Sequence, residues 1–147
     1  MIGTYLLDAS AYWRFRREPE TWAAWRQEIT EGAVCLCDAT RVEVLRSARS
    51  PAERRQMREL LDATFTVAPV SKDPWPWIDA AQEQLTALGQ HRGAGVVDLL
   101  VAATAVDRGL VVLHDDRDFE AVARVIPHLD QQRIGHGPHR GSVSEEA

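Results

Sequence analysis

Short apolar runs alternate along the chain with longer segments in which apolar residues recur every three or four positions. The short runs predict strands at residues 4–8, 33–37, 65–70, 110–114 and, more weakly, 131–134. The periodic segments predict helices at residues 19–31, from Thr40, from Ser50-Pro51, between Asp73-Pro74 and Gly89, at 96–108 and at 117–126. Alternating strands and helices indicate an α/β fold. We therefore expect a three-layer α/β/α arrangement around a central, mostly parallel sheet of four to five strands.

The length of the chain fits one such domain. It has 147 residues, 45% of them hydrophobic and 27% charged, which is an ordinary globular balance. Residues 135–147 are rich in Gly, His, Ser and Glu, so we expect a domain over residues 1–134 and a flexible tail over 135–147. No apolar run approaches the length of a membrane span, and we expect neither a signal peptide nor a location other than the cytoplasm.

Acidic residues follow the predicted strands at the points where the strands end. Asp8 ends the first strand, Asp116 and Asp118 come just after the fourth, and Asp98 lies in the first turn of the helix that precedes the fourth strand. Glu43 lies in the helix after the second strand. Because sites in parallel sheets form beyond the carboxyl ends of the strands, these carboxylates are candidates for one common site.

Each of these acids also has a purely structural explanation. Asp8 could begin a turn, Glu43 could pair with Thr40 in a capping box, and Asp98 could complement a helix dipole. The acids of residues 115–120 could form a solvated helix start. However, Asp8 and Asp98 lie within apolar stretches, where an unpartnered carboxylate is costly to bury. A divalent cation would offset that cost, and a ligand set made only of oxygens suits Mg²⁺ or Mn²⁺.

Four short motifs resemble the PIN domain and, more closely, the VapC-type ribonuclease toxins of prokaryotic toxin–antitoxin pairs. The motifs are DAS at residues 8–10, RVEVL at 41–45, VVDLLVAATA at 96–105 and LHDDRDFEAVA at 113–123. The resemblance spans about residues 4–126. It places Asp8, Glu43, Asp98 and Asp116 at the four acidic positions of the family, Asp118 at an auxiliary acidic position and Ser10 at a supporting hydroxyl. His114 stands where many relatives have threonine, and Asp115 is an additional acid beside Asp116.

The resemblance implies metal-dependent hydrolysis of RNA phosphodiester bonds. Asp8, Asp98, Asp116 and Asp118 would hold Mg²⁺ or Mn²⁺, and Glu43 would orient or deprotonate the attacking water, or hold a second metal. The implied partners are an RNA substrate, an antitoxin protein and a second copy of the chain in a homodimer. The RNA target, the number of metal ions and the identity of the antitoxin are left open by the sequence.

Arginines are concentrated around Glu43 although the chain has a net charge of −5. Residues 41–58 contain six of them: Arg41, Arg46, Arg49, Arg54, Arg55 and Arg58. Arg41 and Arg46 are the candidates for RNA binding, since the guanidinium group grips phosphate with two hydrogen bonds. A biased genome composition and a solvated helix face would explain the same cluster without any RNA.

Two other functions are compatible with parts of the pattern. A phospho-aspartate or haloacid-dehalogenase-type hydrolase would use Asp8 as a nucleophile, but it would want a second acid at position 10, where the chain has Ser10. A non-catalytic PIN-like module would bind RNA or protein without needing all four acids.

Tryptophans and histidines add weaker signals. Five tryptophans are many for this length, and core packing competes with an interface role, for which Trp75 and Trp77 are the better candidates. We assign His136 and His139 to the tail rather than to a metal site. Cys35 and Cys37 are expected to pack as free thiols.

Overall fold

The computed structural model describes residues 4–138 and contains five strands in one sheet. The strands are β1 (Tyr5–Leu7), β2 (Val34–Leu36), β3 (Thr66–Val67), β4 (Val111–His114) and β5 (Gln131–Arg133). Their order across the sheet is β3-β2-β1-β4-β5, and every neighbouring pair is parallel. The predicted parallel sheet is therefore confirmed, with β1 at its centre.

Seven α-helices cover the sheet within the described part of the chain. They are α1 (Ala9–Arg17), α2 (Pro19–Thr30), α3 (Asp38–Leu45), α4 (Pro51–Thr64), α5 (Trp75–Ala87), α6 (Val96–Arg108) and α7 (Arg117–Val125). A short 3-10 helix (Ile134–His136) follows β5. No helix among residues 4–138 is both long enough and apolar enough to cross a lipid bilayer.

Alternate residues of the strands face two separate hydrophobic cores, which makes the fold three-layered. Leu6 and Val112 pack with α5, α6 and α7 on one face of the sheet. Leu7 and Leu113 pack with α1, α2 and α4 on the other. Both faces of the central strands are thus covered, as their apolar sequences predict.

Three local predictions differ from the structure. Helix α1 was not predicted, although Asp8 caps it by accepting from the backbone N–H of Ser10. The capping box of Thr40 and Glu43 is wrong, because α3 begins at Asp38 after the N-cap residue Cys37, and Thr40 is fully buried inside the helix. The predicted strand over 65–70 is reduced to β3, since Pro69 has no N–H to extend the ladder.

Several boundary predictions are confirmed. Ser50 caps α4 by accepting from the backbone N–H of Glu53, and Gly109 ends α6 in the left-handed conformation with φ at 66°.

Cys35 and Cys37 are buried free thiols, as predicted. The proposed tail begins inside the short 3-10 helix, and most of it, including His139, lies outside the described residues, so the domain boundary stays a prediction.

Trp25 joins the C-terminal segment to the core. Its side chain is fully buried, and its Nε1–H donates to the backbone oxygen of Ile134 at 3.0 Å. The ring also meets Tyr5 edge to face, with centroids 5.0 Å apart. One side chain of α2 therefore anchors both β1 and the residues that follow β5.

We predict that Trp25→Phe lowers the free energy of unfolding by about 1–2 kcal/mol, because it removes one of the two hydrogen bonds that the Ile134 carbonyl accepts, the other coming from the backbone N–H of Gly137, and it also removes packed volume. Urea denaturation measures this difference. The control is Trp75→Phe, at a side chain that is 57% exposed, and it should change stability by less than about 0.5 kcal/mol. Equal losses in the two variants would contradict the anchoring role of Trp25.

Candidate active site

Asp8 lies at the carboxyl end of the central strand and is only 3% exposed. Its Oδ2 accepts from the backbone N–H of Ser10 at 3.1 Å and from the Ser10 hydroxyl at 2.6 Å. Its Oδ1 is buried and has no hydrogen-bond partner among residues 4–138. Burial raises the pKa of Asp8, the bonds from Ser10 lower it, and Asp116 raises it further. Half of this carboxylate is therefore satisfied by Ser10, and the other half lacks a partner.

Asp98 lies in the first turn of α6, where its Oδ2 accepts from the backbone N–H of Gly95 at 3.1 Å. Burial, reinforced by the negative charge of Asp8, raises its pKa from 3.8 to about 7. The hydrogen bond from Gly95 opposes this shift, whereas Asp116 and Glu43 add to it. Burial first, and the neighbouring acids second, thus keep Asp98 protonated at pH values where an ordinary aspartate is ionised.

Asp116 and Asp118 reach the same place from the start of α7. Asp116 caps the helix, with its Oδ1 accepting from the backbone N–H of Asp118 at 2.9 Å. Asp98, Asp116 and Asp118 each offer an oxygen within 4.8 Å of those of the other two. Gly93 makes room for this approach, because a Cβ at that position would lie 2.7 Å from Oδ1 of Asp118. Burial and the neighbouring Asp116 raise the pKa of Asp118.

Glu43 approaches the cluster from α3 and is the most solvent-exposed of the predicted acids. Partial desolvation and the nearby Asp8 raise the pKa of its carboxyl group, and Arg46 opposes that shift. Glu43 also raises the pKa of Asp98. The structure thus brings all the acids predicted for the site to one edge of the sheet, with Glu43 on its outer side.

Ser10 joins the two strands that carry the central acids. While its hydroxyl donates to Asp8, the same oxygen accepts from the backbone N–H of Asp115 at 2.9 Å. The hydroxyl therefore connects the end of β1 to the loop after β4. This contact spans 105 residues of sequence, and it agrees with the supporting position given to Ser10.

The side chain of Asp115 is held by arginines rather than by the cluster. Its Oδ1 accepts from Nη1 of Arg14 at 2.9 Å, and Arg133 lies 3.8 Å from the same oxygen. Arg14 also binds Glu18, four residues along the chain. The adjacent acids Asp115 and Asp116 thus contact different partners. Sequence reasoning missed Arg14, because nothing local indicates an ion pair between residues 101 positions apart.

His114 fixes the backbone beneath Asp116. The ring is fully buried, and its Nδ1 accepts from the backbone N–H of Asp116 at 3.1 Å. Because Nδ1 accepts, the ring proton belongs on Nε2, which lies 2.6 Å from Oε1 of Gln131. The histidine at this position is thus built into the site through a partner on β5 that the sequence did not indicate.

The residues present fit a divalent cation bound by oxygen. Three carboxylates converge closely enough to share one ion, and the unpartnered Oδ1 of Asp8 is a buried acceptor on the adjacent strand. Burial, with the repulsion of neighbouring acids added to it, raises the pKa values of Asp8, Asp98 and Asp118, and a positive charge would offset both effects. Oxygen ligands of this kind suit Mg²⁺ or Mn²⁺.

The two arginines predicted to bind RNA, Arg41 and Arg46, differ in the acidic residue with which each interacts. Arg41 binds Asp62 with two hydrogen bonds, Nε to Oδ1 at 3.1 Å and Nη2 to Oδ2 at 3.2 Å. Arg46 is exposed and acts electrostatically on Glu43. Arg49 is paired with Glu53. Two arginines of the cluster are therefore already paired with acidic residues of α4.

Comparison with known proteins identifies the family. The model of the PIN domain matches residues 5–125. The chain belongs to the PIN domain family. This match covers all the acids described above, from Asp8 to Asp118, and it confirms the resemblance inferred from their motifs.

Curated relatives of this PIN domain protein include VapC proteins of Mycobacterium tuberculosis. The chain is 43% identical over 102 residues to "Ribonuclease VapC6", a match that covers 69% of this chain and 80% of the relative. It is 36% identical over 143 residues to "Ribonuclease VapC2", covering 91% of this chain and 94% of the relative. The likeness to VapC6 and VapC2 thus covers most of each relative.

Solved structures share the fold. VapBC from Salmonella typhimurium, in a crystal structure bound to DNA, superposes with a TM-score of 0.71 at 18% identity, covering 90% of this chain and 98% of that one. VapBC-1 from nontypeable Haemophilus influenzae gives a TM-score of 0.71 at 16% identity with the same coverage. At such low identity the likeness concerns the fold alone, and it confirms the three-layer architecture.

We predict that Asp98→Asn stabilises the metal-free protein, and that it does so more at pH 8 than at pH 5. The raised pKa means that folded Asp98 keeps a proton that the unfolded chain loses, so stability falls as the pH rises from about 4 to about 7. Asparagine can still accept from Gly95 but carries no charge. The expected gain at pH 8 is about 1–2 kcal/mol, which is less than the full shift implies because solvent screens a partly exposed group.

Urea denaturation at both pH values, with a chelator present, measures this gain. Asp107→Asn, an exposed position on the same helix, is the control and should change stability little at either pH. Mn²⁺ should raise the melting temperature of the wild type much more than that of Asp98→Asn. If Asp98→Asn destabilised the protein equally at both pH values, the repulsion described here would be refuted.

Proposed function

We propose that this protein is a metal-dependent endoribonuclease that acts as the toxin of a VapBC-type toxin–antitoxin pair. The observation that carries the proposal is the convergence of Asp98, Asp116 and Asp118 beside the unpartnered oxygen of Asp8. This arrangement occurs in a chain that is 43% identical to a protein named as a VapC ribonuclease. The cytoplasmic location expected from the sequence remains a prediction.

In this proposal Asp98, Asp116 and Asp118 hold Mg²⁺ or Mn²⁺, and Asp8 contributes directly or through water. When bound, the ion supplies charge neutralisation at the phosphodiester and lowers the pKa of a bound water. Ser10 acts by holding Asp8 in place through its hydroxyl. His114 does the same for the backbone of Asp116.

Glu43 is the candidate for proton transfer. Its exposed carboxylate can reach solvent, and its raised pKa makes it a better proton acceptor than an ordinary glutamate. We assign it the role of orienting or deprotonating the attacking water, with a second metal site as the alternative. Arg46 beside it is placed to contact the RNA backbone, whereas Arg41 would first have to exchange Asp62 for a phosphate.

One apolar groove is the candidate binding site for the proposed antitoxin. A cleft of about 340 Å³ between α1, α2 and α4 is lined mainly by apolar side chains, among them Tyr12, Phe15, Trp22, Leu60 and Phe65. An apolar segment of a partner protein fits such a surface. Trp75 is 57% exposed, and Nε1–H of Trp77 donates to Nε2 of His128. The interface role of these two tryptophans remains a prediction, as does the homodimer.

Substitution of the adjacent acids after β4 tests the site. Asp116→Asn should lower kcat for RNA cleavage in Mn²⁺ or Mg²⁺ by at least about 100-fold, because even outer-shell partners of a metal typically contribute 10–100-fold. Cleavage of a fluorescent RNA by purified protein measures this loss.

The matched control is Asp115→Asn, which removes the same charge one position away. It should lower kcat by less than about tenfold, since Asp115 only supports the backbone near the metal ligands. Melting temperatures must show that both variants fold. Similar losses of activity in the two folded variants would contradict the assignment of Asp116.

A further inference from the structure

Two clefts adjoin along α7 and reach the acid cluster. The first, of about 420 Å³, is lined by Gly93, Arg117, Asp118 and Arg124 among others. The second, of about 660 Å³, is lined by Arg124, Arg133 and other polar residues next to β5. Both clefts share Glu120 and Arg124. A continuous surface, which we call the α7 groove, therefore leads from the metal-facing residue Asp118 to the edge of the sheet.

The free charges of the α7 groove are positive. Arg117 and Arg124 are exposed, and neither forms an ion pair with any residue in the range 4–138. Glu120 is neutralised by a close ion pair with Arg133, and Asp118 belongs to the acid cluster. Two unpaired guanidinium groups thus flank a site whose proposed substrate is anionic.

The spacing of these arginines suits an extended strand. They are seven residues apart on one helix, which places them on the same side and about 10 Å apart along the axis. Among the described residues the lining contains glutamines and no Phe, Tyr or Trp, and its one ring is that of His136 in the second cleft, so charge rather than base stacking is the main basis of recognition. Phosphates are the chemical group that this surface can bind.

We propose that the α7 groove is the path of single-stranded RNA on one side of the active site, with Arg117 and Arg124 each contacting a phosphate. This inference rests on the proposed ribonuclease function. It gives the active site a second RNA-contacting surface, in addition to the arginines near Glu43. There, Arg41 and Arg49 are occupied by Asp62 and Glu53. Along α7 the guanidinium groups are available without breaking an ion pair.

The test compares two double variants that remove the same charge. Arg117→Gln/Arg124→Gln changes the α7 groove, and Arg26→Gln/Lys72→Gln changes two exposed basic residues that form no ion pair among residues 4–138. Both are made in the Asp98→Asn background, so that bound RNA is not cleaved. Fluorescence anisotropy of a labelled single-stranded RNA at several salt concentrations gives the affinity and its salt dependence.

The α7 double variant should bind RNA at least about tenfold more weakly at low salt. Its plot of log affinity against log salt should be shallower by about 1.4, since each phosphate contact in a single strand contributes about 0.7. Arg124→Gln alone, six residues from Asp118, should give about half of that change in slope. The Arg26→Gln/Lys72→Gln control should keep the original slope.

Equal slopes in the two double variants, or no RNA binding by the Asp98→Asn protein at low salt, would overturn the inference. Cleavage assays with the intact acids separate this outcome from failure of the proposed function. If the α7 double variant cleaves RNA with an unchanged KM, the groove is not the path although the nuclease stands. If the wild type cleaves no RNA while the binding difference persists, the nuclease proposal fails and the groove remains.

Discussion

Burial of the Asp8 carboxylate is the constraint on which the rest of the site depends. It lies at the end of the central strand, 3% exposed, with one oxygen held by Ser10 and the other without a partner among the described residues. Such a group is costly to bury in its charged form, and every acid that approaches it adds to the cost. The pKa of Asp98 is raised to about 7, first by its own burial and then by the negative charge of Asp8. A bound divalent cation would turn the same crowding into a set of ligands.

The surrounding structure keeps the acids in place against their repulsion. Ser10 ties the end of β1 to the backbone of Asp115, and His114 ties the backbone of Asp116 to Gln131 on β5. Arg14 holds the side chain of Asp115 away from the cluster. Two neighbouring aspartates therefore have separate tasks, one stabilising the fold and one facing the other carboxylates.

Sequence reasoning was sufficient for the features that follow from local rules. The alternation of strands and helices predicted the parallel sheet, and acids at strand ends within apolar stretches predicted the meeting of Asp8, Asp98 and Asp116. It was insufficient where tertiary contacts decide. The capping box at Thr40 failed because the helix starts two residues earlier and buries that side chain. The partners of Asp115 and His114 lie on distant elements, and no local pattern identifies them.

The central claim is that these carboxylates converge in order to hold one or more divalent cations, and diffraction from crystals grown with Mn²⁺ tests it most directly. Anomalous scattering locates manganese independently of the protein chain. The account predicts a peak bonded to oxygens of Asp98, Asp116 and Asp118 at about 2.0–2.3 Å, with Asp8 adjacent or coordinating. Saturating Mn²⁺ that left this position empty, or that bound only elsewhere on the surface, would contradict the account.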